Sequence, residues 1–225
     1  MLHLTHLEPF EGISGQLIDE INRVGVIREY PKGSPAMDAD DTLKHFYIVI
    51  EGRIKVYQYN PQNNREQTLY LLGPHDMFDV LTVLDGRRHE VMTEALDDVK
   101  ALELPIEKVR EWLETNPAFN RAFLPYMAKQ MRQVEELAAD LSLYDTSTRL
   151  MKLILKNLDL KNPVRHLGLL QNLPHEEIAS LIGTVRHVVN RHLQQLKREG
   201  IINIERKKLA VNDVKKLLEK VEKKY

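Results

Sequence analysis

The segment 173–213, LPHEEIASLIGTVRHVVNRHLQQLKREGIINIERKKLAVND, restricts the fold more than any other part of the chain. Pro174 suits the start of a helix, Glu176 and Glu177 lie in its first turn where acidic charge complements the helix dipole, and Gly183 ends it. A second helical pattern follows about a turn later. Val185, Val188, Val189, Leu193 and Leu196 form its apolar stripe, and Arg186, His187, Asn190, Arg191 and Gln194 line the opposite face. Gly200 stops this helix, and residues 201–204 and 209–211 read as strands joined by a charged turn. Helix, tight turn, helix and hairpin is the order of a winged helix-turn-helix. Ala179 is small where the two helices approach, and the polar face beginning at Thr184 is left outward. Arginine can bind guanine O6 and N7 in bidentate fashion, and asparagine can do the same to adenine. The expected DNA-binding set is Thr184, Arg186, His187, Asn190 and Arg191, with Lys197, Arg206 and Lys207 on the phosphate backbone.

Upstream the pattern changes twice. Between Arg23 and Leu104 the runs VGVIREY, FYIVI, RIKVYQY, TLYLL, LTVL and VKALEL are separated by turn-forming PKG, EG, NPQNN, GPHD and DG, which predicts a compact β-rich domain over 1–105. Residues 106–144 are helical in pattern. Met127, Met131, Val134, Ala138 and Leu141 alternate spacings of four and three, a narrow seam that suits a partner helix in a homodimer better than a wide core face, the alternative being a helix lying on its own β domain. Pro125 predicts a break, with the long helix beginning near it. Asp145 or Thr146 can cap a new helix, so a DNA-binding domain is expected over 145–225. The fold class is α+β: a compact β sandwich or barrel, a long helix suited to dimerisation and a C-terminal winged helix-turn-helix.

Charge separates the same regions. From Thr146 onward there are 17 lysines and arginines against 8 acidic residues, whereas the preceding part carries 15 against 25. A basic C-terminal third suits a polyanion. The chain has no cysteine, which excludes disulfides, thiolate zinc sites, cysteine-ligated iron-sulfur clusters and cysteine nucleophiles. The first residues lack a basic and then apolar leader pattern, and no stretch is apolar for long enough to span a bilayer; a cytoplasmic protein without membrane association is expected. A barrel enzyme would need clustered histidines and a carboxylate on neighbouring strands, but His45, His75 and His89 are widely separated, so no enzyme is expected. His3 and His6 read as an exposed terminus rather than a metal pair, and no metal site is expected. A β-barrel binding a small molecule or another protein without DNA readout is the reading from another class; it leaves the basic winged segment unused.

The order of these elements resembles the Crp/Fnr superfamily of bacterial transcription regulators. The resemblance rests on YPKG, FYIVIEGRIKVY, GPHDMF, NPAF, LYD at the hinge and HEEIASLIGTVRHVVNRHLQQLKREGII. It implies that the β domain is a β-roll of the jelly-roll kind, and that the chain is a homodimer reading an inverted-repeat operator in double-stranded DNA, with RNA polymerase as a further partner if it is an activator. It also places Arg186, His187 and Arg191 where family members carry an Arg-Glu and Arg set, so His187 stands in place of a glutamate that accepts from cytosine N4.

The sensor half departs from the cyclic-nucleotide-binding pattern. Where such members have Gly-Glu-Leu followed by Arg-Ser/Thr-Ala, this chain has Asp79 to Leu81 and His89 to Val91. Asp79 and Glu90 would repel a cyclic phosphate, Arg87 and Arg88 are the only nearby substitutes, and the base-contacting helix positions correspond to Val134 and Glu135. Cyclic AMP is therefore not expected to bind. The expected effector pocket comprises Met77, Phe78, Val80, Leu81, Met92, Met131 and Val134, with His89 at its mouth. Its cofactor is unassigned. A methionine-rich cavity with one imidazole leaves open haem and a gas-sensing (NO or CO) role, against the simpler reading of a filled core with a surface histidine.

Overall fold

The side-chain period of two in a strand explains why FYIVI is a continuous apolar run: its sheet is buried on both faces. The computed structural model describes residues 13–158, 167–205 and 208–222. The chain divides into two units, one of Met1–Gln58 with Tyr70–Val134, the other of Tyr59–Leu69 with Glu135–Tyr225. The second therefore takes the tip of one β-hairpin and the last turns of the long helix, a partition that differs from the expected boundary at 145.

Helix α1 (Gly15–Val24) precedes strands β1 (Val26–Tyr30), β2 (His45–Glu51), β3 (Ile54–Asn60), β4 (Arg65–Leu72) and β5 (Met77–Phe78). Helix α2 (Val80–Asp85), strands β6 (Met92–Ala95) and β7 (Val99–Pro105), helix α3 (Ile106–Thr115) and the long α4 (Pro117–Leu143) follow. A four-stranded sheet runs β1-β7-β2-β5 and a three-stranded sheet β4-β3-β6, the two layers of a jelly roll. On β2 and β7, Phe46, Ile48, Leu102 and Leu104 point to a core with Ile21, Val109, Trp112, Phe119 and Phe123 of the helices. Their neighbours Tyr47, Val49, Val99 and Ala101 point the other way, to a core with Ile54, Val56 and Leu72.

Two elements differ from the expectation. LTVL, expected as a strand, lies in α2, which places Val80 and Val83 in the core at helical spacing and ends at Gly86 in the left-handed conformation. A short apolar run carries too few periods to separate the two. Helix α4 also begins at Pro117 and continues through Pro125. Arg121, whose carbonyl loses its donor, and Pro125 are both exposed, so water can take the vacant position. Meanwhile Tyr126 fixes this turn to β5: its hydroxyl accepts from the Met77 N–H at 2.8 Å and donates to the Met77 carbonyl at 2.9 Å. Burial pushes the Tyr126 phenol far above its ordinary pKa, keeping it a neutral donor.

Glu103 is a charged residue on the buried face of β7. Arg28 donates to it through Nε and a second nitrogen at 2.9 and 2.8 Å, and Tyr47 through its hydroxyl at 3.2 Å. Burial opposes its ionisation, yet the Arg28 hydrogen bonds hold the carboxyl below its ordinary pKa. A carboxyl whose folded pKa lies below the unfolded one contributes stability that is complete above the unfolded value and lost as pH falls through the folded value. Glu103→Gln is therefore expected to lower the melting temperature at neutral pH, with the two proteins converging in acid; a pH-independent difference would contradict this.

The remaining elements belong to the second unit: α5 (Thr146–Lys156), a 3-10 turn (Gly168–Leu170), α6 (His175–Leu181), α7 (Arg186–Arg198), the hairpin β8 (Ile202–Glu205) and β9 (Lys208–Val211), and α8 (Val214–Glu222). Asp145 caps α5, accepting from the Thr148 N–H at 2.8 Å. No described helix is long and apolar enough to cross a membrane.

Candidate functional site

The two helices of the motif are joined by a turn whose geometry follows from its residues. Ile182 closes α6, Gly183 takes φ of +63°, and the Thr184 N–H donates to the Ala179 carbonyl at 2.9 Å. Helix α7 starts only at Arg186, with Val185 as its N-cap residue. Val189, Leu193 and Leu196 are buried, as the stripe predicts, and so are Ile178, Ala179 and Ile182 of the preceding helix and its end. Val185 departs from the stripe: it lies before the helix and is 47% exposed.

The opposite face of α7 presents Arg186, His187, Arg191 and Gln194 to the exterior, while Thr184 and Asn190 are half-buried and Lys197 is exposed. Arg206 and Lys207 lie outside the described residues, as do His3 and His6. Sequence reasoning assigned no role at the α7 face to two partners on α6. Glu176 accepts an ion pair from Arg186 at 2.7 Å, with both side chains more than half exposed. His175 meets Asn190 through Nδ1 and Oδ1. An exposed ion pair such as Arg186 with Glu176 is worth at most about 1 kcal/mol, so it can be exchanged for a phosphate or base contact. An acid in the first turn of α6 is the signal that could have found Glu176.

On α4, Met131, Val134, Ala138 and Leu141 are exposed and Met127 is half-buried. Met131 is 56% and Val134 47% exposed, an apolar stripe left open among the described residues. Leu141 additionally lies beside the motif turn, since a Cβ on Gly183 would come within 2.6 Å of its Cδ2.

The residues expected to form an effector pocket fall into small groups, with Met77 beside Val80 in one core and the Phe78 ring 6.4 Å from that of His89. Met77 and Val80 are packed in the core with Phe46 and Ile48, Phe78 belongs to the second core, and Leu81 and Met92 are about half exposed. Alternation along β5 separates Met77 from Phe78, and the helical turn of α2 separates Val80 from Leu81. These positions do not provide haem with a closed apolar cleft: Met77 is interior packing, and Met92 and Met131 are exposed. His89 is held through one ring nitrogen. Its Nδ1 pairs with Asp79 Oδ1 at 2.9 Å, and the Thr82 hydroxyl donates to Asp79 Oδ2 at 2.7 Å. Asp79 is thus a buried carboxylate at the start of α2. Arg88 is paired with Asp40 at 2.7 Å and Glu90 at 2.6 Å. Among the described residues, no cluster of three or more histidine or acidic side chains is placed to hold a metal ion.

Residues 27–116 match the model of the cyclic nucleotide-binding domain, and residues 148–220 match that of the Crp-like helix-turn-helix domain. The chain is 26% identical over 211 residues to a CRP-like cAMP-activated global transcriptional regulator of Mycobacterium tuberculosis, covering 92% of this chain and 93% of that one. It is 27% identical over 195 residues to the cyclic AMP receptor protein of Thermus thermophilus, covering 87% and 88%. A CooA mutant from Carboxydothermus hydrogenoformans shares the fold with a TM-score of 0.77 at 23% identity, covering 94% of this chain and 92% of that one.

Proposed function

Because the chain belongs to the Crp/Fnr family of DNA-binding transcription regulators, which are not enzymes, we propose that it acts as a two-fold dimer reading an inverted-repeat operator through α7. The observation that carries this reading is the division of α7 into a sealed face of Val189, Leu193 and Leu196 and an open face of Arg186, His187 and Arg191. Arg186 and Arg191 are assigned to bases, and Asn190 and Thr184 to base or backbone contacts. Lys197 is assigned to phosphate, with Arg206 and Lys207 of the wing region proposed on sequence grounds. The exposed α4 stripe supports pairing with a second copy. A mobility-shift titration against random duplex DNA at several salt concentrations tests the polyanion contact. Affinity is expected to fall linearly on logarithmic axes with salt; no retardation at any salt would contradict it.

The sensor half is proposed not to take cyclic AMP, unlike the relatives named for that ligand. Asp79 puts a negative charge at the start of α2, where a cyclic phosphate would need donors, and Thr82 and His89 are committed to that carboxylate. Calorimetry with cyclic AMP and cyclic GMP is expected to give no binding heat. Micromolar affinity for either would overturn this.

A further inference from the structure

Within the second unit the hairpin segment Tyr59–Leu69 meets the first helix of the motif, and the contact is a closed set of hydrogen bonds. The Ser180 hydroxyl donates to Glu66 Oε1 at 3.0 Å and accepts from the Thr68 N–H at 3.0 Å. Its hydroxyl proton being used there, the 2.7 Å contact between the two hydroxyls is a donation from Thr68 to Ser180. One donor and two acceptors are the full capacity of a serine hydroxyl. Gln67 Nε2 donates to the Ser180 carbonyl at 2.9 Å, joining the Gly183 N–H that donates to the same oxygen at 3.4 Å in the turn that ends α6. Thr68 is fully buried and Ser180 nearly so.

A second observation is independent of these bonds. A Cβ on Gly183 would lie 2.9 Å from Gln67 Oε1 and 2.6 Å from Leu141 Cδ2, so the turn between α6 and α7 is seated between the hairpin tip and the end of α4. All of these contacts fall on the α6 end and the turn. Arg186, His187 and Arg191 remain exposed. The hairpin therefore holds the motif without covering the face proposed to read DNA.

We infer that Glu66, Gln67 and Thr68, through Ser180, are positioning residues for operator recognition: a clasp that fixes the end of α6 and so sets the direction in which α7 leaves the turn. This rests on the reading that α7 contacts DNA. Opening the clasp leaves the buried Thr68 N–H and the Ser180 carbonyl without these partners and frees the turn to shift. Small displacements of a recognition helix weaken base contacts, since those contacts are directional.

The native chain lacks cysteine, so Thr68→Cys with Ser180→Cys creates the only thiol pair. The probe is a duplex recovered by the wild-type protein from a random library. The reduced double variant is expected to bind it about tenfold more weakly than wild type, the scale expected for removing one buried hydrogen-bond set. The oxidised, cross-linked form of the same molecules is expected to return to wild-type affinity, a rescue that a general folding defect would not give. Thr68→Val should reproduce the weakening and Thr68→Ser should not. Equal binding by oxidised and reduced forms, weaker binding by the cross-linked form, or failure of the pair to close would each overturn the clasp. Recovery of no duplex by wild type would instead contradict the reading of α7, and the clasp with it.

Discussion

Val134→Glu is expected to turn the proposed dimer into monomers and to lower affinity for a duplex carrying two half-sites by about 10²- to 10⁴-fold, the gain that linking two binding modules provides. The side chain is 47% exposed in the single chain, beside Met131 at 56%, at the centre of the α4 seam. In a two-fold helix pair this position faces its own copy. A carboxylate there would be buried against a second carboxylate, so the cost is both desolvation and repulsion. Glu135 and Glu136 already flank the position and add further negative charge. Sedimentation velocity at micromolar concentration checks the assembly, and a mobility shift on full and half operators checks its consequence. A variant that stays dimeric, or a wild type that sediments as a monomer, would show that the seam is not the dimer interface.

The second large effect is expected at the reading face. Replacing Arg191 or Arg186 by alanine removes, in each half-site, an interaction worth about 1 to 3 kcal/mol if it is bidentate to guanine. A symmetric dimer is affected twice, so affinity should fall by about 30- to 10⁴-fold, with discrimination relaxed at one base of each half-site. Arg186 has the additional feature of its ion pair with Glu176, which DNA must replace. Because that pair is exposed, Glu176→Gln should change affinity little. Lys197→Ala provides the contrast: removing a phosphate-binding cation should weaken all sequences alike and reduce the salt slope by about one unit per phosphate released. Base-preference profiles of the four variants separate these outcomes. Identical profiles for Arg191→Ala and wild type would remove Arg191 as a base reader.

The parts of this molecule that are legible in the sequence are those whose signals are local. Pro174, the first-turn acids, Gly183 and the spacing of Val189, Leu193 and Leu196 lie within one short segment, and they define the motif without any tertiary information. The alternation of Phe46 and Ile48 with Tyr47 and Val49 places them on opposite cores of one sheet. Helix α2 escapes sequence reading because Leu81 to Leu84 supply barely one turn of pattern. The start of α4 escapes it because Pro125 sits on an exposed face where its missing donor is tolerated. The effector residues share composition but not one location: strand and helix geometry send Met77 and Phe78 to opposite cores and leave Leu81 at the surface. The clasp is invisible for another reason. Thr68 and Ser180 are 112 residues apart, and neither is an unusual residue in its own segment.

Selection of binding sites from random duplexes by the wild-type protein tests dimeric readout through α7 most directly. The expected product is an inverted repeat whose half-site centres lie about one helical turn, roughly 34 to 36 Å, apart, because two α7 helices related by a two-fold axis must enter successive major grooves. Enrichment of a single unrepeated site, of direct repeats, or of no sequence at all would contradict it.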